Sequence, residues 1–174
     1  MAALGLILLS FVKQASGPSS YWVTYFPGIF FFGLGMSFTV TPLTTTVMSA
    51  VASHYSGTAS GVNNAISRIA NVFANAILGA LAILFFTAFL ESNTKEISLT
   101  KDLRQQVVAE SRNLGDAKVP SAIGEKNKLK IQKAYKESFI ESYVQVMRIC
   151  ALLAILSALM AFVFIHNGEL KRDE

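Results

Sequence analysis

Four stretches of this chain, residues 1–12, 21–52, 61–90 and 143–166, are apolar and nearly free of charge. Arg68 and Arg148 are the only charged residues inside them. Residues 91–141 are the opposite material, with mixed charges throughout. Three of the stretches reach the roughly 20 residues that a helix needs to cross a hydrocarbon core. The first, MAALGLILLSFV, is too short to span alone. It lacks the basic start and the small-residue cleavage site of a signal peptide, so it reads as the tail of a spanning helix, helix A, whose beginning is missing.

The second stretch predicts helix B. Tyr21 and Trp22 open it and suit a membrane interface. Its length exceeds a core of about 30 Å, and Pro42 offers a break. Ile29, Phe32, Met36, Val40, Leu43 and Val47 form one side. Gly33, Ser37, Thr41, Thr44, Thr45 and Met48 form the other, a face of small and hydroxylated residues that serves close packing or lines a cavity. The turn SHYSGTAS, residues 53–60, is tight and predicts that helices B and C are antiparallel neighbours. Gly57 and Gly61 then make a G-x-x-x-G pair at the start of helix C.

Helix C is the most informative. At about 100° per residue, Gly57, Gly61, Asn64, Arg68, Asn71, Asn75 and Gly79 share an arc of about 80°. Val62, Ile66, Ile69, Phe73, Ile77 and Leu84 lie opposite. A charged side chain at membrane depth costs from about 2.5 kcal/mol upward. Arg68 near the start of the helix could snorkel to the interface, but snorkelling requires no asparagines continuing deeper. The ladder therefore predicts a helix that faces protein or a water-filled path with Asn64, Arg68, Asn71 and Asn75.

In the polar segment, Leu99, Leu103, Val107 and Val108 predict a short amphipathic helix. Gly115, Pro120 and Gly124 break it, and a second amphipathic piece runs from about Glu125 into the last span, helix D, Tyr143 to Ile165. Asn167-Gly168 is a helix stop.

Composition narrows the function classes. Hydrophobic residues make up 52% and charged residues 15% of the chain, against about 25% charged in soluble domains. The mean hydropathy is +0.46 and the pI about 9.3. The net charge of +4 does not imply nucleic acid, because the bases interleave with acids in one segment. A single cysteine, Cys150, excludes an internal disulfide and a thiolate cluster. His54 and His166 have no ligand spacing, and no metal or cofactor motif is present. No nucleophile, base and acid converge, so an enzyme is not expected. No Asp or Glu falls inside helices B, C or D.

GLGMSFTVTPLTTTVMSAV, residues 33–51, followed by SGTASGVNNAISRIANVFANAILG, residues 56–79, resembles the last third of a major facilitator transporter. More narrowly it resembles the fourteen-helix drug:proton antiporters of the multidrug-efflux type. ESYVQVMRICALLAILSALMAFVF is similar to their last helix. The resemblance implies an all-α integral membrane fold holding the C-terminal four helices, 11–14, of that transporter, with the N-terminal helices missing. It implies alternating access around a midplane site, with proton-coupling carboxylates on helices outside this chain. Residues 1–90 then hold helices A (partial), B and C, residues 91–141 a polar extracytoplasmic loop, and residues 142–174 the last span and a cytoplasmic tail. Counting Lys and Arg in the loops favours the opposite orientation, since residues 91–141 carry many more than the turn and tail.

The expected function is proton-coupled efflux of amphipathic drugs across a bacterial inner membrane, with Asn64, Arg68, Asn71, Asn75, Thr41 and Thr45 lining the substrate path. Gly33, Pro42, Gly57, Gly61 and Gly79 are the expected packing or kink positions. The expected partners are the lipid bilayer, the missing helices, and substrate and protons in the full carrier, with no nucleic acid, cofactor or metal. The alternative is a non-transporting accessory or degenerate four-helix membrane protein.

Overall fold

The computed structural model describes residues 1–13 and 18–164, and these form helices and connecting turns with no strand among them. The helices are α1 (Ala2–Leu9), α2 (Pro18–Thr24), α3 (Phe26–Ser49), α4 (Ser56–Asn93), α5 (Lys101–Ala109) and α6 (Glu125–Phe164). Single 3-10 segments occupy Ser53–Tyr55 and Glu110–Asp116. Most of the first loop, and the expected stop at Asn167-Gly168 with His166, lie outside the described residues.

Helices α3, α4 and α6 are long and apolar enough to cross a membrane by length and composition. Their apolar surface is open: Phe38 is 67% exposed, Val72 69% and Phe162 86%. Water-soluble monomers do not carry continuous apolar faces of this extent. The chain is an all-α membrane protein.

Three boundaries differ from the sequence reading. Helix B is two helices, because the chain breaks at Tyr25 and Pro27 sits in the first turn of α3, where its missing N–H costs nothing. Helix α4 continues past Leu90 to Asn93. The last helix starts at Glu125 and joins a polar half to an apolar half over 40 residues. No Gly or Pro interrupts it. Its buried positions Ile131, Tyr135, Ser138, Ser142 and Val146 recur every three or four residues, so one stripe passes through both halves.

Helix α1 packs on α3 and on α6, and α6 packs on α4. The first contact depends on glycine. A Cβ on Gly5 would meet the Phe32 backbone and lie 2.7 Å from the Gly28 carbonyl oxygen, and a Cβ on Gly28 would lie 2.7 Å from Leu9 Cγ. Gly35 is pressed against the backbone of Ala2 in the same way. Gly28 beside Leu9 and Gly35 beside Ala2 make α1 and α3 antiparallel. The expected pairing of helices B and C is confined to the region of their turn. Every residue of α4 from Asn64 to Ile77 is exposed, so α3 does not cover that length.

Residues 94–124 fold as a cap over the ends of α4 and α6. Phe86 and Leu90 of α4 and Ile131, Ala134 and Tyr135 of α6 enclose Ile97, Val107 and Ile123 in one core. The Tyr135 hydroxyl donates to the Val107 carbonyl at 3.1 Å. Arg104 donates to the carbonyls of Thr94 and Ile97 at 3.3 and 3.2 Å. Thr87 of α4 bonds Ser111 across hydroxyls at 2.8 Å. The Glu110 carboxylate accepts from the Asn113 amide at 2.9 Å and the Lys118 backbone N–H at 3.2 Å. These bonds hold its carboxyl below the usual carboxylate range.

Two tests follow from this packing. Gly5→Val should separate α1 from α3 and lower the thermal midpoint of the purified protein. Gly33→Val, with nothing within 4 Å of its Cβ, should leave it unchanged. The lowered pKa of Glu110 means that its contribution is complete above the unfolded value and is lost as pH falls through the folded one. Protection of the Lys118 amide, its exchange rate measured against the intrinsic rate at the same pH, should therefore fall on acidification below the ordinary carboxylate range. Glu110→Gln should remove that pH dependence.

Candidate functional site

The polar stripe of α4 is the first candidate. Asn64, Arg68, Asn71 and Asn75 all lie on one uninterrupted helix, so their shared arc of about 60° follows from helical geometry. All four are exposed, and so are Ile66, Ile69, Phe73 and Ile77 opposite them. Gly57, Gly61 and Gly79 have nothing within 4 Å of a Cβ. Within this chain, then, the stripe meets no other helix.

Its direction is nevertheless defined. A cleft of about 530 Å³ lies between the end of α3 and the start of α4, lined by Val47, Val51, Tyr55, Val62, Asn63 and Ile66 among others. Val62 and Ile66 are on the side of α4 opposite the ladder, about 180° away. The ladder therefore points away from α3. Any group that contacts it comes from the side that α3 does not occupy.

Four hydroxyls of α3 are spent on carbonyls of their own helix. Thr44 donates to the Val40 carbonyl at 2.9 Å, Thr45 to Thr41 at 3.2 Å, Ser37 to Gly33 at 3.0 Å and Thr39 to Gly35 at 2.7 Å. Each bond is to the residue four earlier, the pattern that satisfies a hydroxyl inside its own helix. Thr41 and Thr45 thus form a second group on α3, and no hydrogen bond among the described residues joins it to the ladder on α4. Pro42 lies inside α3, which continues on both sides of it.

Sequence reasoning missed the polar junction between α4 and α6. Asn93 Nδ2 donates to Ser138 Oγ and to Glu141 Oε2, each at 3.0 Å. This junction lies where the apolar half of each helix gives way to the polar half. The signal was weak, because Asn93 and Glu141 are 48 positions apart and each looks like an ordinary surface residue. The sequence did run an amphipathic piece from about Glu125 into the last span, and Glu137 and Glu141 stand on that continuous helix.

With the geometry in view, the relatives can be compared. The chain is 30% identical over 110 residues to the multidrug resistance protein Stp of Mycobacterium tuberculosis, in strain CDC 1551 / Oshkosh and in strain ATCC 25618 / H37Rv. The matched residues are 63% of this chain and 19% of each relative. The chain thus spans about a fifth of the length of the curated relatives it matches. No family model and no solved structure matches it. The likeness and the three apolar helices together fit a membrane transporter.

The stripe makes an accessibility prediction. In membranes where the chain is assembled with the helices that cover its stripe, cysteines at positions 71 and 75 should react with a small water-soluble thiol reagent. Cysteines at 69 and 73 should not. Reaction confined to 69 and 73 would place the ladder in lipid.

Proposed function

We propose that the chain is the helix 11–14 region of a major facilitator multidrug carrier, and that it works in a bacterial inner membrane by exchanging amphipathic compounds for protons. The observation that carries this reading is the stripe of Arg68, Asn71 and Asn75 on a helix whose other sides are apolar and uncovered. In hydrocarbon those amides and the guanidinium lack partners. Against a second bundle they find them, and a polar wall results. The likeness to a multidrug resistance protein supports drug efflux as the activity.

In this reading the chain is not an enzyme. Asn64, Arg68, Asn71 and Asn75 face the remaining helices or the substrate path, and Thr41 and Thr45 are a separate polar group on α3 that meets the path only at another part of the full carrier. Protons and an amphipathic substrate pass through the whole carrier, and the carboxylates that couple them lie on other helices. A piece without those helices has no bundle to rock against and does not transport. The alternative of a non-transporting accessory protein makes the opposite prediction: supplying the remaining helices restores nothing. The decisive experiment expresses this chain in drug-sensitive bacteria with and without the other helices of a matching carrier. Export of a cationic dye only in the combined strain supports the proposal, and no export in either defeats it.

In the complete carrier, Arg68→Ala should impair efflux more than Thr44→Ala at matched protein level. Arg68 offers five donors in a fixed fork, and its loss strands buried acceptors at about 1–3 kcal/mol each. Thr44 bonds only its own helix, and membrane hydrogen bonds of side chains average about 0.6 kcal/mol. Arg68→Lys should rescue in part. Equal efflux by Arg68→Ala and the parent would show that the guanidinium only snorkels at the interface.

A further inference from the structure

A second site lies at the other end of the spans, and it does not rest on the transport reading. An open cleft of about 510 Å³ is bounded by α4, α6 and the residues just after α1. Its charged groups are Glu137, Glu141, Arg148 and Lys13. Two carboxylates and two cations leave no formal net charge. Val12, Phe89 and Val144 supply apolar wall. The cleft sits where α6 passes from polar to apolar sequence, beside the Asn93–Glu141 bond.

The charges are ordered along α6. Glu137 and Glu141 stand on the polar side of the boundary. Gln145 lies one turn deeper, and Arg148 is about 10 Å deeper than Glu141. All of Glu141, Gln145 and Arg148 fall on one face at i, i+4 and i+7. Below Arg148 the helix carries no charged residue to Phe164 and is apolar except for Ser157. A simple anion in this cleft would meet two carboxylates, and a simple cation would meet Arg148 and Lys13. A ligand with its positive group outermost, its negative group deeper and its apolar part deepest would meet favourable partners at every level.

We infer that this cleft binds a zwitterionic phospholipid with a primary ammonium headgroup. The ammonium sits between Glu137 and Glu141, and the phosphate meets the Arg148 guanidinium. The acyl chains descend along Val144 and the apolar face of α6. Glu141 uses Oε2 to hold Asn93, and a carboxylate has acceptor positions left after one such bond. Glu137 has only a loose, exposed contact with Lys133 at 3.6 Å, which a better donor displaces. Guanidinium suits phosphate because its fork meets two oxygens at once. A primary ammonium can donate hydrogen bonds to the carboxylates, whereas a trimethylammonium cannot.

The test uses the full chain, purified and equilibrated with an equimolar mixture of phosphatidylethanolamine, phosphatidylcholine and phosphatidylglycerol of identical acyl chains. Retained lipid is counted by native mass spectrometry. The parent protein should retain the ethanolamine lipid about tenfold over the choline lipid, the scale of one charge-assisted hydrogen bond. The double variant Glu137→Gln/Glu141→Gln should abolish that preference, and glutamine at 141 can still accept from Asn93, so the α4–α6 junction survives. Arg148→Gln should reduce retention of all three lipids, with an unchanged circular dichroism spectrum. Equal retention of ethanolamine and choline lipids by the parent overturns the proposal. So does an ethanolamine preference that survives the double variant. Tighter retention of the glycerol lipid than of the ethanolamine lipid would also overturn it, since that result means Arg148 and Lys13 form a plain anion site.

Discussion

Hydrocarbon supplies no hydrogen bonds, and that single constraint shapes every apolar part of this chain. A backbone amide in lipid must be satisfied within its own helix. The three long spans obey this, and their hydroxyls follow the same rule. Thr39, Thr44, Thr45, Ser37 and Thr87 each bond a carbonyl four residues back. A hydroxyl so occupied is nearly apolar to its surroundings. Ser37, Thr39, Thr44 and Thr45 of α3 can therefore stand against lipid or protein at little cost. The asparagines of α4 differ, because an amide carries two donors as well as its acceptor oxygen. Polarity on α3 is thus internal to the helix, while polarity on α4 needs something outside it.

Where the chain leaves the membrane, the governing force changes. Residues 94–124 bury Ile97, Val107 and Ile123 against Phe86, Leu90, Ile131 and Tyr135, which is ordinary hydrophobic burial in water. The cap clamps the ends of α4 and α6, and Asn93 locks them at the boundary. At this end the helices are held by a core. Towards the turn of residues 50–55, α4 stands uncovered. The chain is therefore firmly built at one end of its spans and open at the other.

The sequence made some of this legible and hid the rest for physical reasons. Long apolar runs signal spans because only helices solve the backbone problem in lipid, so α3, α4 and α6 could be located directly. Tyr25 as a helix break could not, since nothing in an aromatic run marks it before Pro27 is placed in the first turn of α3. The glycine-rich segments were legible as small residues but not as contacts. Gly5, Gly28 and Gly35 meet another helix closely and Gly115 meets Phe139 of α6, while Gly33, Gly57, Gly61 and Gly79 meet nothing here. A missing side chain permits close approach, and which helix approaches is decided elsewhere in the chain. The folded cap was hidden most deeply. Its core residues are spread from Phe86 to Tyr135 among charges, so no local window contains the stripe they form together. Of the candidate site, the shared face of Asn64, Arg68, Asn71 and Asn75 was readable from spacing alone, whereas its direction away from α3 needed the cleft lined by Val62 and Ile66.

Helix lengths give the ladder its depth. The change from apolar to charged sequence at the α4–α6 junction puts one end of the apolar spans close to Leu90 and Glu141. Counting about 20 residues back along α4 from Leu90, the length of one hydrocarbon crossing, reaches Asn71. Arg68 then stands one turn beyond, at the opposite interface, and Asn75 stands one turn inside. Helix α4, with 38 residues, is longer than α3, with 24, by about 21 Å. On this count Asn64 lies outside the hydrocarbon, Arg68 and Asn71 stand at its rim, and Asn75 lies one turn inside. A residue that only snorkels ends at the rim. Asn71 at the rim and Asn75 one turn inside carry the polar surface inward along a single face, which snorkelling alone does not require.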